Sequence, residues 1–161
     1  MSWRVTAATF TLAAMSLIHL MYASTLHPEL MTAAGLEPML ERARVSNDRH
    51  DISSVLLLSD AHCFQVLEGP PDTVDALYSK IALDSRHRDV SLMMRWRIGR
   101  RNFARWNLAT VRVEAEDLRR ATAIPTLMSP GFTTTSLGRR QADRLIDVLK
   151  SQLASSGSSV A

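Results

Sequence analysis

Gln65 is the residue of this sequence that most clearly requires a chemical explanation. It lies in the middle of a short apolar run, residues 63–67, where an amide is costly to bury unless its donors and acceptors find partners. A preceding apolar run, residues 52–58, is separated from it by the polar segment 59–62, and this pattern predicts a β-hairpin. Because both runs are nearly continuous in hydrophobicity, both faces of the sheet should be covered. We therefore expect Gln65 to be buried on a central strand against a polar partner.

A third apolar segment, residues 16–24, predicts the first strand of the same sheet. Side chains alternate between the two faces of a strand, so Ile18 and Tyr22 should share one face while His19 points to the other. The longer run of residues 5–22 also has the composition of a signal peptide or a marginal membrane span. A strand that enters the core cannot also be cleaved off or held in a bilayer, so we favour the strand.

Helical and extended patterns alternate along the middle of the chain. An apolar stripe predicts a helix over residues 36–46, with Asn47 as a left-handed C-terminal residue. A second helix is predicted over residues 70–83, opened by two prolines and an aspartate. Residues 90–96 and 106–113 predict two further strands around a basic loop. The order βαββαββ is that of an α+β ferredoxin-like sandwich with both helices on one sheet face.

The C-terminal segment is expected to cover the other sheet face with capping helices. Residues 116–122 predict a short helix, and residues 136–153 predict a longer one with an apolar stripe. The Ser-rich residues that follow are expected to be disordered. The chain therefore divides into an N-terminal extension (1–14, with Met15 a candidate start), a folded domain (15–114), a helical cap (115–153) and a tail (154–161).

Composition narrows the classes of function. The chain has 161 residues and 46% hydrophobic residues, enough for the core of one domain. The single cysteine, Cys63, excludes an internal disulfide and fits a reducing compartment, so we expect a cytoplasmic protein. The net charge of +3 is too small to indicate nucleic acid, and the basic run within residues 95–105 is interpreted as a solvated loop. The sequence has no histidine spacing suited to a metal, no phosphate-binding glycine motif and no catalytic-triad order.

Six segments occur in an order and spacing that resemble the BLUF family of flavin-binding blue-light sensors. They read L-I-H-L-M-Y-A-S, A-R-V-S-N-D, I-S-S-V-L-L-L-S, F-Q-V-L-E-G-P, A-L-Y-S-K-I-A-L-D-S-R-H-R-D-V and R-R-N-F-A-R-W-N-L. The resemblance covers about residues 17–111. Its most specific part is the combination of the F-Q-V-L-E-G-P and D-S-R-H-R-D-V segments.

The resemblance implies a flavin held noncovalently between the two helices, edge-on to the sheet. Tyr22 matches the family's light-active tyrosine, and Gln65 matches the glutamine that bridges this tyrosine and the flavin. Asn47 matches the asparagine that hydrogen-bonds the ring. Trp106 and Leu108 match the positions that relay the signal. The cofactor-binding positions implied in this way are Tyr22, Ser46, Asn47, Ser53, Gln65, Lys80, Arg86 and His87, the last three near the ribityl chain and the ring.

The resemblance also implies the chemistry. Electron and proton transfer from Tyr22 to the excited flavin lets Gln65 rearrange, by tautomerisation or rotation, and its new hydrogen bond to the flavin shifts absorption to the red. Such a hydrogen-bond switch has an energy scale of about one to a few kcal/mol, which suffices to bias a bistable element. FAD is the expected flavin, with FMN or riboflavin as alternatives. A cysteinyl adduct at Cys63, as in LOV sensors, is not expected because the flanking residues do not resemble the LOV pattern.

Three positions depart from the family pattern. Leu108 replaces the usual methionine, Ser46 replaces a common asparagine or histidine, and Ser53-Ser54 replaces a common threonine-glycine pair. These departures motivate an alternative function, a light-insensitive ferredoxin-like protein-interaction module with a degraded flavin site. A small-molecule enzyme such as an acylphosphatase is disfavoured because the sequence has no suitable phosphate-cradling loop.

The interpretation that follows is a short, stand-alone photoreceptor that is not an enzyme. The residues after the core leave room only for capping helices, so the signal should pass to a separate downstream signalling protein or change self-association in a homo-oligomer. Neither nucleic acid nor a membrane is expected as a partner. The expected exit is the sheet face under residues 116–153, because Trp106 and Leu108 couple that face to the fifth strand.

Overall fold

The structure of the protein, a computed structural model, describes residues 16–125, 127 and 139–157. The order of its elements confirms the ferredoxin-like prediction, βαββαββ followed by two further helices. A short 3-10 helix, Pro28–Met31, precedes the first α-helix. In chain order the elements are β1 (Leu17–Leu26), α1 (Ala33–Arg49), β2 (Ser53–Ser59), β3 (His62–Gly69), α2 (Pro71–Leu83), β4 (His87–Ile98), β5 (Ala109–Arg112), α3 (Ala115–Thr122) and α4 (Arg139–Gly157).

The five strands form one mixed sheet in the order β4-β1-β3-β2-β5. Strand β1 pairs antiparallel with β3 and β4, β2 pairs antiparallel with β3, and β2 pairs parallel with β5. Every residue of β2 is buried, as are all residues of β3 after His62. This burial explains the nearly continuous apolar runs and confirms that both sheet faces are covered.

Helices α1 and α2 cover one face of the sheet. Leu36 and Leu40 of α1 and Val74 of α2 pack against Ile18 and Leu20 of β1, and all five side chains are almost completely buried. Their 3.6-residue spacing on the helices and two-residue spacing on the strand are the two periodicities that the sequence predicted. The same face carries Tyr22, Leu56 and Leu67.

Helices α3 and α4 cover the opposite face. Leu118 of α3 and Leu145 and Leu149 of α4 pack in one cluster with Phe64 and Val66 of β3. Because each side chain of this size contributes about 1.5–3 kcal/mol when it is buried, the two helices are part of the folding unit of this domain. Deleting them would expose one entire apolar face of the sheet.

Helix α1 is longer at both ends than the sequence predicted. The hydroxyl of Thr32 accepts a hydrogen bond from the Gly35 backbone N–H at 3.1 Å, which places the helix start at Ala33. The helix continues to Arg49, so the prediction of Asn47 as a left-handed cap is wrong. The left-handed conformation occurs instead at Asp51, with φ of 55°.

The later elements also differ in extent from the prediction. Strand β4 begins at His87, before its predicted start at residue 90, and the fifth strand is shorter than predicted. Trp106 and Leu108 therefore lie in the loop before β5. Helix α4 includes residues 154–157, which were predicted to be disordered, whereas the predictions for residues 1–14, Met15 and residues 158–161 lie outside the described residues. Among the helices of the described part, none is long and apolar enough to cross a membrane.

Candidate functional site

Tyr22 and Gln65 lie directly opposite each other on the antiparallel strands β1 and β3. Residues opposed in this way bring their side chains within contact distance on one face of the sheet. The Tyr22 hydroxyl donates a hydrogen bond to Oε1 of Gln65. Burial raises the pKa of Tyr22 well above its ordinary value, so the hydroxyl keeps its proton at neutral pH and remains a donor.

The other end of the Gln65 amide is bound by a residue that sequence reasoning did not place in the site. Nε2 of Gln65 donates to Oγ of Ser54 on β2 at 2.7 Å. Ser54 is completely buried. The signal that could have found it is the two-residue period of a strand, which places Ser54 on the same face as Leu56 and opposite to that of Ser53. Among the described residues, the polar partners of the Gln65 amide are thus two hydroxyls, one on each neighbouring strand.

A cavity of about 300 Å³ opens above this pair, between α1 and α2. Its volume falls at the lower end of the range of ligand pockets. A larger groove of about 700 Å³ lies between the hairpin turn and the C-terminal helices, but it contains none of the predicted site residues, so we assign the site to the smaller cavity. The apolar part of the cavity wall consists of Leu26, Met39, Leu40, Ala43, Leu56, Leu77, Ile81 and Leu108.

Asn47 and His87 place polar groups at the cavity wall. Nδ2 of Asn47 donates to the backbone carbonyl of Asn107 at 2.7 Å, which leaves Oδ1 without a donor among the described residues. Nδ1 of His87 lies 2.8 Å from the Ser24 hydroxyl, and this hydroxyl also lies 2.9 Å from the sulfur of Cys63. Burial lowers the pKa of His87, which favours the neutral imidazole.

Charged side chains surround the cavity mouth. Arg86 binds Asp84 through both carboxylate oxygens, and these hydrogen bonds lower the pKa of Asp84 to about 2. Arg42 on α1 and Lys80 on α2 also line the cavity, and neither has an ion-pair partner among the described residues. Arg42 and Asp84 were not predicted as site residues, because an exposed charge on a helix or turn gives no signal of its own in the sequence.

Three of the predicted site residues do not line the cavity. Ser46 is exposed on the outer side of α1, since a helix turns by about 100° between Ser46 and Asn47. Ser53 points to the sheet face opposite Gln65, where its hydroxyl lies 3.4 Å from the Glu68 carbonyl oxygen. Trp106 is half-buried against the C-terminal helices. The structure brings together Tyr22, Asn47, Gln65, Lys80, Arg86, His87 and Leu108.

The polar groups of the cavity suit a planar heteroaromatic ligand with a hydrogen-bonding edge. Gln65 has a second N–H on Nε2 that has no acceptor among the described residues, and Asn47 offers Oδ1 as an acceptor. The pyrimidine end of a flavin has a carbonyl and an N–H that match this donor and acceptor. In the described part of the chain, no group of His, Cys, Asp and Glu side chains is suited to hold a metal.

Fold and site together define a ligand-binding α+β domain with a tyrosine–glutamine pair at the floor of its cavity. The chain belongs to the BLUF family, described as sensors of blue-light using FAD, whose profile matches residues 17–109. This match confirms the resemblance drawn from the sequence segments.

Solved structures and curated proteins of the same kind are similar to the chain. BlsA in its photo-activated state superimposes with a TM-score of 0.70 at 25% identity, covering 83% of this chain and 94% of BlsA. BlrP1 of Klebsiella pneumoniae, solved with FMN and cyclic diGMP, gives a TM-score of 0.55 at 33% identity over 60% of this chain and 26% of that one. The blue light- and temperature-regulated antirepressor BluF of Escherichia coli (strain K12) is 36% identical over 55 residues, which is 34% of this chain and 14% of that protein. The chain thus spans only a small part of this curated relative.

Proposed function

We propose that this chain senses blue light through a hydrogen-bond switch at Tyr22 and Gln65 and passes the signal to a separate protein. The observation that carries the proposal is the position of Gln65 at the cavity floor, where its amide is held between two hydroxyls and has one N–H left for a ligand. None of the described residues favours the alternative of a degraded site, because the cavity retains the tyrosine, the glutamine and the asparagine.

The residues that would hold the flavin ring are Asn47 and Gln65 at its polar edge and the apolar side chains of α1 and α2 at its faces. His87 contributes a neutral imidazole to the wall. When bound, the flavin supplies the absorption of blue light and an excited state that accepts one electron. The residues that would hold the flavin are those assigned from the sequence except Ser46 and Ser53, with Arg42 added.

Tyr22 and Gln65 perform the switching step. The Tyr22 hydroxyl has its proton directed at Oε1 of Gln65, so transfer of an electron from the phenol to the excited chromophore could be accompanied by transfer of this proton to the amide. The protonated amide can then rotate or tautomerise, which changes the group that it presents to the cavity. The electron and one proton would return to Tyr22 once the amide has rearranged. A change of one buried hydrogen bond corresponds to about 1 kcal/mol, a scale that can shift the balance between two conformations of the loop before β5.

We further propose that the flavin is FAD, the flavin in the description of the family. A phosphate-bearing flavin is supported by Arg42 and Lys80, which face the cavity from opposite helices and have no anionic partner among the described residues. Arginine and lysine both bind phosphate oxygens through charge-assisted hydrogen bonds. Arg86, which was predicted near the ribityl chain, is held by Asp84 and is therefore a poorer phosphate ligand.

Replacing both free cations should separate phosphorylated from unphosphorylated flavins. With about 1 kcal/mol for each partly exposed ion pair, R42A/K80A is expected to weaken FMN and FAD binding about thirtyfold and to leave riboflavin binding unchanged. Flavin titrations followed by fluorescence quenching measure all three affinities. R49A/K150A removes two cations that do not line the cavity and serves as the control. An equal loss of riboflavin affinity would show that the two cations stabilise the cavity itself.

The partner is proposed to be a downstream signalling protein, reached through the sheet face that α3 and α4 cover. Support comes from the loop before β5, which contacts both layers: Leu108 lines the cavity and Trp106 packs against the cluster of the C-terminal helices. The alternative is that the signal changes the self-association of this chain. We propose that the chain acts in the cytoplasm without catalysing a reaction, with residues 15–114 as the sensor and residues 115–153 as its cap.

The experiment that tests the function is the absorption spectrum of the purified chain before and after blue light. A flavin band that shifts slightly to the red and returns in the dark is the expected result. A band that bleaches instead would indicate reduction or an adduct at Cys63. A colourless protein that takes up no added flavin would favour the interaction module.

A further inference from the structure

Ser54 connects the Gln65 amide to the loop before β5. It stands on β2, where every residue is buried and the four residues that follow it, 55–58, are apolar. Its hydroxyl accepts a hydrogen bond from Nε2 of Gln65 at 2.7 Å. Its backbone N–H donates to the carbonyl of Trp106 at 2.9 Å. One residue therefore binds both the Gln65 amide and the loop before β5.

The two ends of the Gln65 amide are bound by the same kind of group. A hydroxyl can donate one hydrogen bond and can also accept, whereas the amide oxygen only accepts and the amide nitrogen only donates. In the structure Tyr22 donates to Oε1 and Ser54 accepts from Nε2. If the amide rotates by half a turn, Ser54 can donate to Oε1 and Tyr22 can accept from Nε2. Both hydrogen bonds of the amide can therefore exist in both orientations.

The proton of the Ser54 hydroxyl decides which orientation this residue favours. In the orientation observed, that proton has no acceptor among the described residues. After rotation it is donated to Oε1, and Ser54 keeps only an unfilled acceptor position. Buried donors without a partner are rarer than under-used acceptors in folded proteins, and each unsatisfied buried group costs free energy. Replacing Ser54 by a residue without a hydroxyl should therefore destabilise the rotated orientation of the Gln65 amide more than the initial orientation.

We propose that Ser54 is a positioning residue of the switch, which holds the Gln65 amide in its initial orientation and prolongs the rotated state by donating to Oε1. The role of Ser54 in the rotated state rests on the proposed function. Its role in the initial orientation rests on the hydrogen bond from Nε2 of Gln65 to the Ser54 hydroxyl. The backbone bond to Trp106 makes Ser54 a direct connection between the amide and the loop before β5.

The lit-state lifetime tests the second half of the proposal. In the flavin-loaded full chain, S54A and S54G are expected to retain the flavin and the red shift but to recover in the dark about tenfold faster, which corresponds to about 1.4 kcal/mol. S54T keeps a hydroxyl and is expected to recover at the wild-type rate. Ser59 on the same strand is also buried, and its hydroxyl has no partner among the described residues, so S59A is the matched control. Recovery of S54A at the wild-type rate, or of S54T at the S54A rate, overturns the proposal.

The side-chain amide protons of Gln65 test the first half in the dark and without flavin. We expect the NH₂ resonances of Gln65 to exchange with water about tenfold faster in S54A than in the wild type or S59A, because one N–H loses its acceptor. Unchanged exchange overturns the positioning role. If the wild type shows no red shift while S54A still accelerates this exchange, the photochemical function fails and the positioning of the amide stands.

Discussion

Gln65→Leu is expected to abolish the light-induced red shift completely while leaving flavin in the protein. Leucine has a similar volume but can neither accept from Tyr22 nor donate to a ligand, so no group remains whose orientation light can change. The apolar wall of the cavity, which would supply most of the contact with the ring, is untouched by the substitution. Flavin content after purification and the light-minus-dark difference spectrum measure the two effects separately.

Two further variants make this result specific. Tyr22→Phe removes only the hydroxyl that donates to Gln65, so it should lose the shift as completely as Gln65→Leu. Met39→Leu changes a side chain of the same cavity that takes no part in the hydrogen bonds, and such volume-conserving exchanges usually cost less than about 1.5 kcal/mol. It should keep the full shift. A Gln65→Leu protein with a normal red shift would show that the chromophore responds to light without this amide.

The predictions that held are those determined by local periodicity. The hairpin, the helical stripes and the face shared by Ile18 and Tyr22 follow from spacings of 2 and 3.6 residues along the chain. Gln65 was predicted to be buried because it is the polar residue within an apolar run, and its side chain is buried in the structure. The pairing of Tyr22 with Gln65 was implied by the family resemblance, and the register of β1 against β3 places the two residues opposite each other.

The structure departs from the expectations in the direction of some side chains and in the ends of some elements. Ser46 and Ser53 were assigned by correspondence of position, but Ser46 is exposed beside the cavity-lining Asn47, and Ser53 lies on the sheet face opposite to that of Gln65 and Ser54. The fifth strand begins only at Ala109, and the loop before it is fixed by long-range bonds, among them those to Glu68. Such bonds join residues more than thirty positions apart, and no local pattern in the sequence reports them.

Glu68 is the buried charge that organises the sheet face behind the switch. Its side chain is fully buried on β3 and lies 2.7 Å from Nδ1 of His19 on β1. It also accepts from the backbone N–H of Phe103 at 2.9 Å and from Nδ2 of Asn102 at 3.0 Å, which fixes the loop before β5. The His19 ring stacks on Trp96 with centroids 4.3 Å apart, so removal of the carboxylate would disturb three strands and the loop at once.

Glu68→Ala is expected to lower the free energy of unfolding by about 3–5 kcal/mol, because it leaves the buried partners of a charge without their acceptor. Asp75→Ala is the matched control, since it also breaks a carboxylate pair, with Arg95 at 2.7 Å, but the two side chains are 44% and 41% exposed. That pair should contribute at most about 1 kcal/mol. Urea unfolding followed by circular dichroism measures both variants, and equal costs would contradict the organising role of Glu68.

The pH dependence of Glu68→Gln gives the same role a second test. Burial alone would raise the pKa of Glu68, but the hydrogen bonds from His19, Phe103 and Asn102 outweigh it and hold the pKa below its ordinary value of 4.5. A carboxyl with a lowered pKa in the folded state stabilises the protein above its unfolded pKa, and this contribution disappears as the pH falls through the folded value. The wild type should therefore exceed Glu68→Gln in stability at pH 7, and the difference should shrink below about pH 4. A difference that stays constant down to pH 3 would mean that Glu68 acts through its shape and hydrogen bonds and not through its charge.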